Sequence, residues 1–505
     1  MAQIDDDFIA LPRAELADAA MDAARRAGAE WVDVRVERIR DAGVSLKDGA
    51  LSSSADATDS GIGVRVIVDG AFGFAATGDL RPEAAVSAAR RAVELAKVSR
   101  PLATERVELA GEPTHADQTW ISRYEVDPFE VGAAAWTARL ADFADRLAGG
   151  VTHSTVSFRA VKEHKYYADH AGTSTTQQRI RIQPEIAVVL VGDDGVETMS
   201  STAPPVARGW EYLTAGPDAG GWDYDTELAR LPEWVAEKMA APSVEPGPTD
   251  VLIDPTNLWL TIHESIGHAT ELDRALGYEA AYAGTSFATL DQLGTLHYGS
   301  PAMRVTGDRT DPYGLASIGF DDEGVAAQQF DLIRDGTLVG FQLDRRMARQ
   351  NGLGDPAGRS NGCAYADSPG HVTMQRMPNV SLQPLPDGPD LNGLLAALGD
   401  GLYIVGDRSW SIDMQRYNFQ FTGQRFFRVR GGRITGQVKD VAYQATTTDF
   451  WRSMSDIGGP STYLLGGAFN CGKAQPGQVA AVSHGCPAAV FRGVNILNTL
   501  QEAGQ

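Results

Sequence analysis

Two spacings of hydrophobic positions alternate along the chain. Over residues 13–27 the apolar side chains recur at helical intervals. At Trp31-Val32-Asp33-Val34-Arg35-Val36-Glu37 the pattern changes to strict alternation, which predicts a half-buried strand. Residues 62–75 hold two strand-like runs that meet at Asp69-Gly70, a pair suited to a tight hairpin turn. Helical spacing returns over 82–97 and 128–147, strand signals dominate 155–191, and 227–240 reads as a short helix. This mixture points to α+β rather than to a regular parallel α/β fold.

Residues 241–248 contain Pro242, Pro246 and Pro248, and this break divides the expected domains into 1–240 and 241–505. Beyond it, a strand over 250–253 runs straight into a helix opened by Asp254 and Pro255, an N-cap residue followed by first-turn proline. The remainder is punctuated by glycine, as in Phe330–Gly336, with one short helix over 391–398. The expectation is a two-domain α+β protein. Its N-terminal domain mixes helices and hairpins, and its C-terminal domain is strand-rich, antiparallel and barrel-like.

At 505 residues the chain exceeds what one core sustains, which agrees with two domains. A formal charge of −22 disfavours nucleic acid and anionic membrane surfaces as partners. No stretch reaches the roughly 18 apolar residues of a membrane span, and residues 1–8 lack the pattern of a secretory signal. Three cysteines, Cys363, Cys471 and Cys486, are too few for a disulfide framework and suit a reducing cytoplasm.

The chemistry concentrates in His263-Glu264-Ser265-Ile266-Gly267-His268. Leu258, Ile262, Ile266 and Ala269 form a buried helical stripe beside it, with His263 and Glu264 bordering a cleft. Zinc-peptidase helices carry their two histidines four residues apart on one face. Here they are five apart, and at about 100° per residue five steps miss the same face by roughly 140°. Both can bind one ion only if the helix is widened, as in a π-type bulge, or broken between them. Gly267 supplies backbone freedom at that point. Imidazoles suit zinc, which takes a third protein ligand in catalytic sites. Glu271, Asp273 and His297 are local candidates, and Cys471, His484 and Cys486 distant ones. Glu264 is placed to take a proton from water and pass it to a leaving amine.

These residues resemble the TldD/PmbA family of gyrase-modulator metallopeptidases, in its metal-bearing TldD-like branch. The likeness spans nearly the whole chain. Asp59-Ser60-Gly61-Ile62-Gly63-Val64-Arg65-Val66 with Gly73-Phe74-Ala75 matches the opening domain. His263-Glu264-x-x-x-His268, Asp321-Asp322-Glu323-Gly324, Arg376-Met377-Pro378-Asn379 and Asn470-Cys471-Gly472-Lys473 follow in the family's order. The resemblance implies metal ligands at His263, His268 and Cys471, a general base at Glu264, and zinc as the metal, with other divalent ions open. It also implies a peptidase of unfolded peptides or peptide precursors that works as a homodimer or paired with a TldE/PmbA-like subunit. A non-catalytic pairing subunit and a natural-product maturation enzyme are the alternative readings. One departure stands out. Val482-Ser483-His484-Gly485-Cys486-Pro487 replaces a glycine-rich stretch, so His484 and Cys486, like Glu271, are secondary site candidates, read first as packed loop residues.

Overall fold

In the computed structural model, which describes residues 3–193 and 195–502, the alternating run at Trp31 continues to Lys47 as β1. With β2 (Ala50–Val68), β3 (Ala71–Thr77), β4 (Gln118–Ile121), β5 (His153–Asp169), β6 (Ser174–Gly192) and β7 (Gly195–Ser200) it builds one sheet, ordered β3-β2-β1-β5-β6-β4, with β7 also on β6. The turn between β2 and β3 is Asp69-Gly70, both at positive φ as the sequence predicts. Val32, Val34 and Val36 of β1 pack under the helices Arg13–Arg26 and Pro82–Ser99. Ala42, Val44 and Leu46, on the same face further along, pack under Ala133–Leu147 and Tyr224–Ala240. A 17-residue strand is long enough to serve two helix pairs side by side.

The other face of β1 differs from the half-buried expectation. Asp33, Arg35 and Glu37 are as buried as the valines, because this face meets the C-terminal half through ion pairs. Arg65 bridges Asp33 at 2.8 Å and Glu323 at 2.7 Å, and Lys165 reaches Asp322 at 2.7 Å. Alternation therefore records an apolar layer and an ion-paired layer, not a wet face. The predicted helix over 128–147 is also interrupted. Gly132, at φ +82°, separates Pro128–Val131 from Ala133–Leu147.

Gly73 in β3 lies directly under the helix Pro82–Ser99, and a β-carbon there would sit 2.0 Å from the carbonyl oxygen of Ala92. Helix backbone cannot yield as a side-chain tip can. Gly73→Ala is expected to destabilise the fold by about 1–3 kcal/mol, as overpacking does. The check is the urea midpoint, and an unchanged midpoint would contradict this packing.

In the C-terminal half five strands close on themselves. Gly401–Ile412 pairs with Gly247–Ile253, which pairs with Ala489–Asn498, then Val441–Thr446, then Asn418–Arg430, which returns to Gly401–Ile412. All these pairs are antiparallel except Gly247–Ile253 with Gly401–Ile412. The barrel-like expectation holds, with one parallel joint. Phe419, Phe421, Tyr443, Phe450, Trp451 and Phe491 stack as an aromatic core. The motif helix, Pro255–Ile262, leaves Gly247–Ile253 and runs between the ring and a separate two-stranded ribbon, Leu464–Lys473 with Gln478–Cys486. Among the described residues no helix is long and apolar enough to cross a membrane.

Candidate metal centre

The motif helix is anchored before it reaches its histidines. Asp254 caps it by accepting from the Thr256 amide, and Asn257 donates to the carbonyls of Gly406 and Thr422. Thr261 and Asn257 share the Tyr443 hydroxyl, and Trp451 donates to Ser265. Leu258, Ile262, Ile266 and Ala269 are fully buried, as the stripe predicts.

After Ile262 the α-helix gives way to a π turn over His263–Gly267, then to a 3-10 turn over His268–Thr270. The amide of His268 donates to the carbonyl of His263, an i→i+5 bond that closes across the two histidines. One wide turn thus brings a five-residue spacing back to one face, with the rings 4.6 Å apart. The role expected of Gly267 needs correcting. Its φ is −52°, ordinary helix, so no special torsion is needed. What it provides is space, since a β-carbon would meet Met377 Sδ at 2.6 Å and Cε at 2.9 Å.

Facing this turn, the ribbon strand Leu464–Lys473 presents Cys471. One ligand atom from each of His263, His268 and Cys471 lies within 4.8 Å of the others. Cys471 Sγ is 3.7 Å from His268 Nε2. A tetrahedral zinc with bonds of about 2.1 Å to nitrogen and 2.3 Å to sulfur has a nitrogen–sulfur edge of roughly 3.6 Å, so the donors fit such an ion. Burial raises the Cys471 thiol, but His268 and Arg376 outweigh it and hold it below the ordinary thiol range.

Neighbouring acceptors set the tautomers. His484 Nδ1 lies 2.8 Å from the carbonyl of Val380, which can only accept, so this nitrogen carries hydrogen. Burial, with His263 alongside, pushes His484 well below the usual imidazole range and keeps it neutral. Its Nε2 therefore accepts from His263 Nδ1 at 2.8 Å, leaving His263 Nε2 bare. Across the turn, His268 Nδ1 donates to Glu271 Oε2 at 2.8 Å, which leaves His268 Nε2 bare toward Cys471. Burial raises Glu271, yet Lys473, His268 and Arg274 together bring it well below the ordinary carboxylate range. Such outer partners orient ligand imidazoles, and losing one costs about 10–100-fold in metal affinity. His484→Leu is expected to weaken zinc binding by that factor. His484→Gln, whose amide can accept from His263 and donate to Val380, is expected to recover most of it in a chelator competition. Equal affinities for the two variants would refute the tautomer relay.

The remaining sequence candidates are placed elsewhere. Cys486 is buried with its thiol on the Pro255 carbonyl, and burial pushes it well above the usual thiol range. It and His484 sit in a strand, not a loop, and of the two only His484 touches a ligand candidate. Asp273 pairs with Lys473 at 2.8 Å, and His297 is exposed, away from the cluster. The other shared motifs become braces. Arg376 holds the carbonyls of Cys471 and Gln478, Asn379 accepts from Ala316 and Ser483, and Lys473 bridges Glu271 and Asp273.

Glu264 is 5% exposed, beside His263 but outside the donor cluster. Arg416 Nη1 donates to its Oε2 at 2.8 Å. Burial raises the Glu264 carboxyl, but His263, His268 and Arg416 together hold it below its ordinary range. Arg416 is the neighbour of Glu264 that sequence reasoning missed, because no local pattern marks an arginine at a hairpin tip.

Comparison with known proteins bears on this geometry. Residues 246–498 match the family model of the PmbA/TldA metallopeptidase C-terminal domain, and residues 32–96 match that of PmbA/TldA metallopeptidase domain 1. Over 473 residues the chain is 26% identical to a metalloprotease of Methanothermobacter thermautotrophicus, covering 93% of this chain and 96% of that one. It is 22% identical over 470 residues to a zinc metalloprotease TldD homolog of Saccharolobus solfataricus, with 92% and 96% covered. The fold is shared with TldE from Thermococcus kodakarensis at a TM-score of 0.70 and 16% identity, over 95% and 99% of the two chains.

Proposed function

Because the chain belongs to the TldD/PmbA family of metallopeptidases, we propose that it is a zinc-dependent peptidase that hydrolyses unfolded peptides or processes peptide precursors. The observation that carries this reading is the convergence of His263, His268 and Cys471, both imidazoles turned by their outer partners, with the Glu264 carboxylate next to His263 but outside that cluster. Relatives named metalloproteases, one of them a zinc metalloprotease, support it.

His263, His268 and Cys471 would hold the zinc, which supplies an acidified water and a Lewis acid for the peptide carbonyl when bound. Glu264 takes a proton from the attacking water and passes it to the leaving amine nitrogen. His484 and Glu271 keep the two imidazoles aimed, and Arg376 and Lys473 keep the Cys471 strand against the π turn. On this reading the chain works as a pair, with a second copy or with a TldE-like subunit. Three unpaired buried cysteines suit the cytoplasm.

Elemental analysis of protein purified without chelator, beside cleavage of internally quenched unstructured peptides, tests the proposal. Stoichiometric zinc and chelator-sensitive cleavage are expected. Protein without metal and without cleavage would overturn it.

A further inference from the structure

Among the described residues four cations surround the donor cluster, and three are committed to bracing it. Arg274 is spent on Glu271, Glu279 and the Ala283 carbonyl. Lys473 is spent on Glu271, Asp273 and Gln375, and Arg376 braces two backbone carbonyls from a sealed position. Arg416 differs. Nη1 is on Glu264 and Nη2 makes only a 3.4 Å contact with the Ala283 carbonyl, while Nε, like that of Arg376, has no hydrogen-bond partner. Its side chain is 13% exposed, against 0% for Arg274 and 2% for Lys473, so it alone of the three reaches solvent appreciably.

The backbone was shaped to put this arginine there. Arg416 has φ +64°, and the other non-glycine residues at positive φ among those described are all aspartates, which tolerate that region. A long side chain in it is strained and persists where surrounding contacts over-determine it. They do so here. Asp413 accepts from the amides of Gln415, Tyr417 and Asn418, and the Arg416 carbonyl accepts from Thr447. The carbonyls of Met414 and Gln415 accept from Thr285 and Phe287. Glycine at this position would relieve the strain and forfeit the guanidinium.

We propose that Arg416 is a catalytic residue that donates to the scissile carbonyl oxygen and stabilises the negative charge developing there. The inference rests on the peptidase reading. In the hydrolysis the water oxygen bonds to the carbonyl carbon, and the C–N bond breaks with its electron pair going to the amine nitrogen. Glu264 carries one water proton to that nitrogen. With Nη1 on Oε2, Glu264 keeps Oε1 for the proton, and the Nη2 hydrogen of Arg416 not directed at the Ala283 carbonyl is left for the substrate. A guanidinium stays charged throughout, so Arg416 stabilises without exchanging a proton.

The test compares wild type, Glu264→Gln, Arg416→Met and Arg416→Lys. It measures zinc content, kcat and KM on internally quenched unstructured peptides, and calorimetric affinity for a phosphinic peptide that mimics the tetrahedral state. For Arg416→Met the expected result is full zinc, KM within a few-fold, kcat lower by about 10²–10³-fold, and a comparable loss of phosphinic-peptide affinity. Arg416→Lys is expected to regain part of both. An unchanged kcat, a rise in KM alone, or zinc lost from both arginine variants would overturn the inference. If wild type cleaves, Glu264→Gln does not, and Arg416→Met matches wild type, the peptidase reading stands and this inference alone falls. A wild type with neither zinc nor cleavage overturns both.

Discussion

Glu264→Gln is expected to keep its zinc and to lower peptide hydrolysis by about 10²–10⁴-fold, the usual contribution of a positioned acid–base group. The two halves of this expectation have separate causes. Zinc is retained because Glu264 lies outside the cluster of His263, His268 and Cys471. Activity is lost because an amide cannot accept and return the water proton. Glutamine is a sharper probe than alanine, since its oxygen can still accept from Arg416, whose Nη1 sits 2.8 Å from the carboxylate. Alanine would strand that guanidinium and mix a structural effect into the result. Elemental analysis with kcat on quenched peptides reads the outcome. A variant that keeps more than about a tenth of wild-type kcat would show that another group moves the proton.

Cys471→Ala is expected to lose zinc, with affinity falling by more than the roughly 100-fold that an outer partner can cost, whereas Cys486→Ala keeps it. Both thiols are buried, so burial does not separate them. Their neighbours do. Cys471 faces His268 Nε2 at 3.7 Å and has Arg376 near, so its thiolate is favoured despite burial. Cys486 faces a carbonyl oxygen, with Asp254 as its charged neighbour, and its thiol stays protonated. A metal site needs the deprotonated sulfur. Elemental analysis of the two variants beside wild type decides the matter, and zinc kept by Cys471→Ala but lost by Cys486→Ala would reverse the assignment.

Wherever one period runs cleanly, the sequence reading and the structure agree closely. The helix expected over 82–97 spans Pro82–Ser99, and the one expected over 391–398 spans Leu391–Leu398. The hairpin turns at Asp69-Gly70. These features arise from backbone geometry within a few residues, which local spacing records directly. Gly132 shows the limit, because a single positive φ broke a helix whose apolar spacing ran on through it.

By itself the sequence determined an α+β chain with a strand-rich second half. It also showed that a five-residue histidine spacing demands a distorted helix. Only the tertiary structure decided that the distortion is a π turn, and that Gly267 is there to admit Met377. The same holds for His484, which turns His263, and for Arg416, which holds Glu264. The physical reason is distance along the chain. Cys471 meets His268 across 203 positions, His484 meets His263 across 221, and Arg416 meets Glu264 across 152. No local period carries such contacts. They exist only once the closed ring, the ribbon and the hairpin have packed around the motif helix.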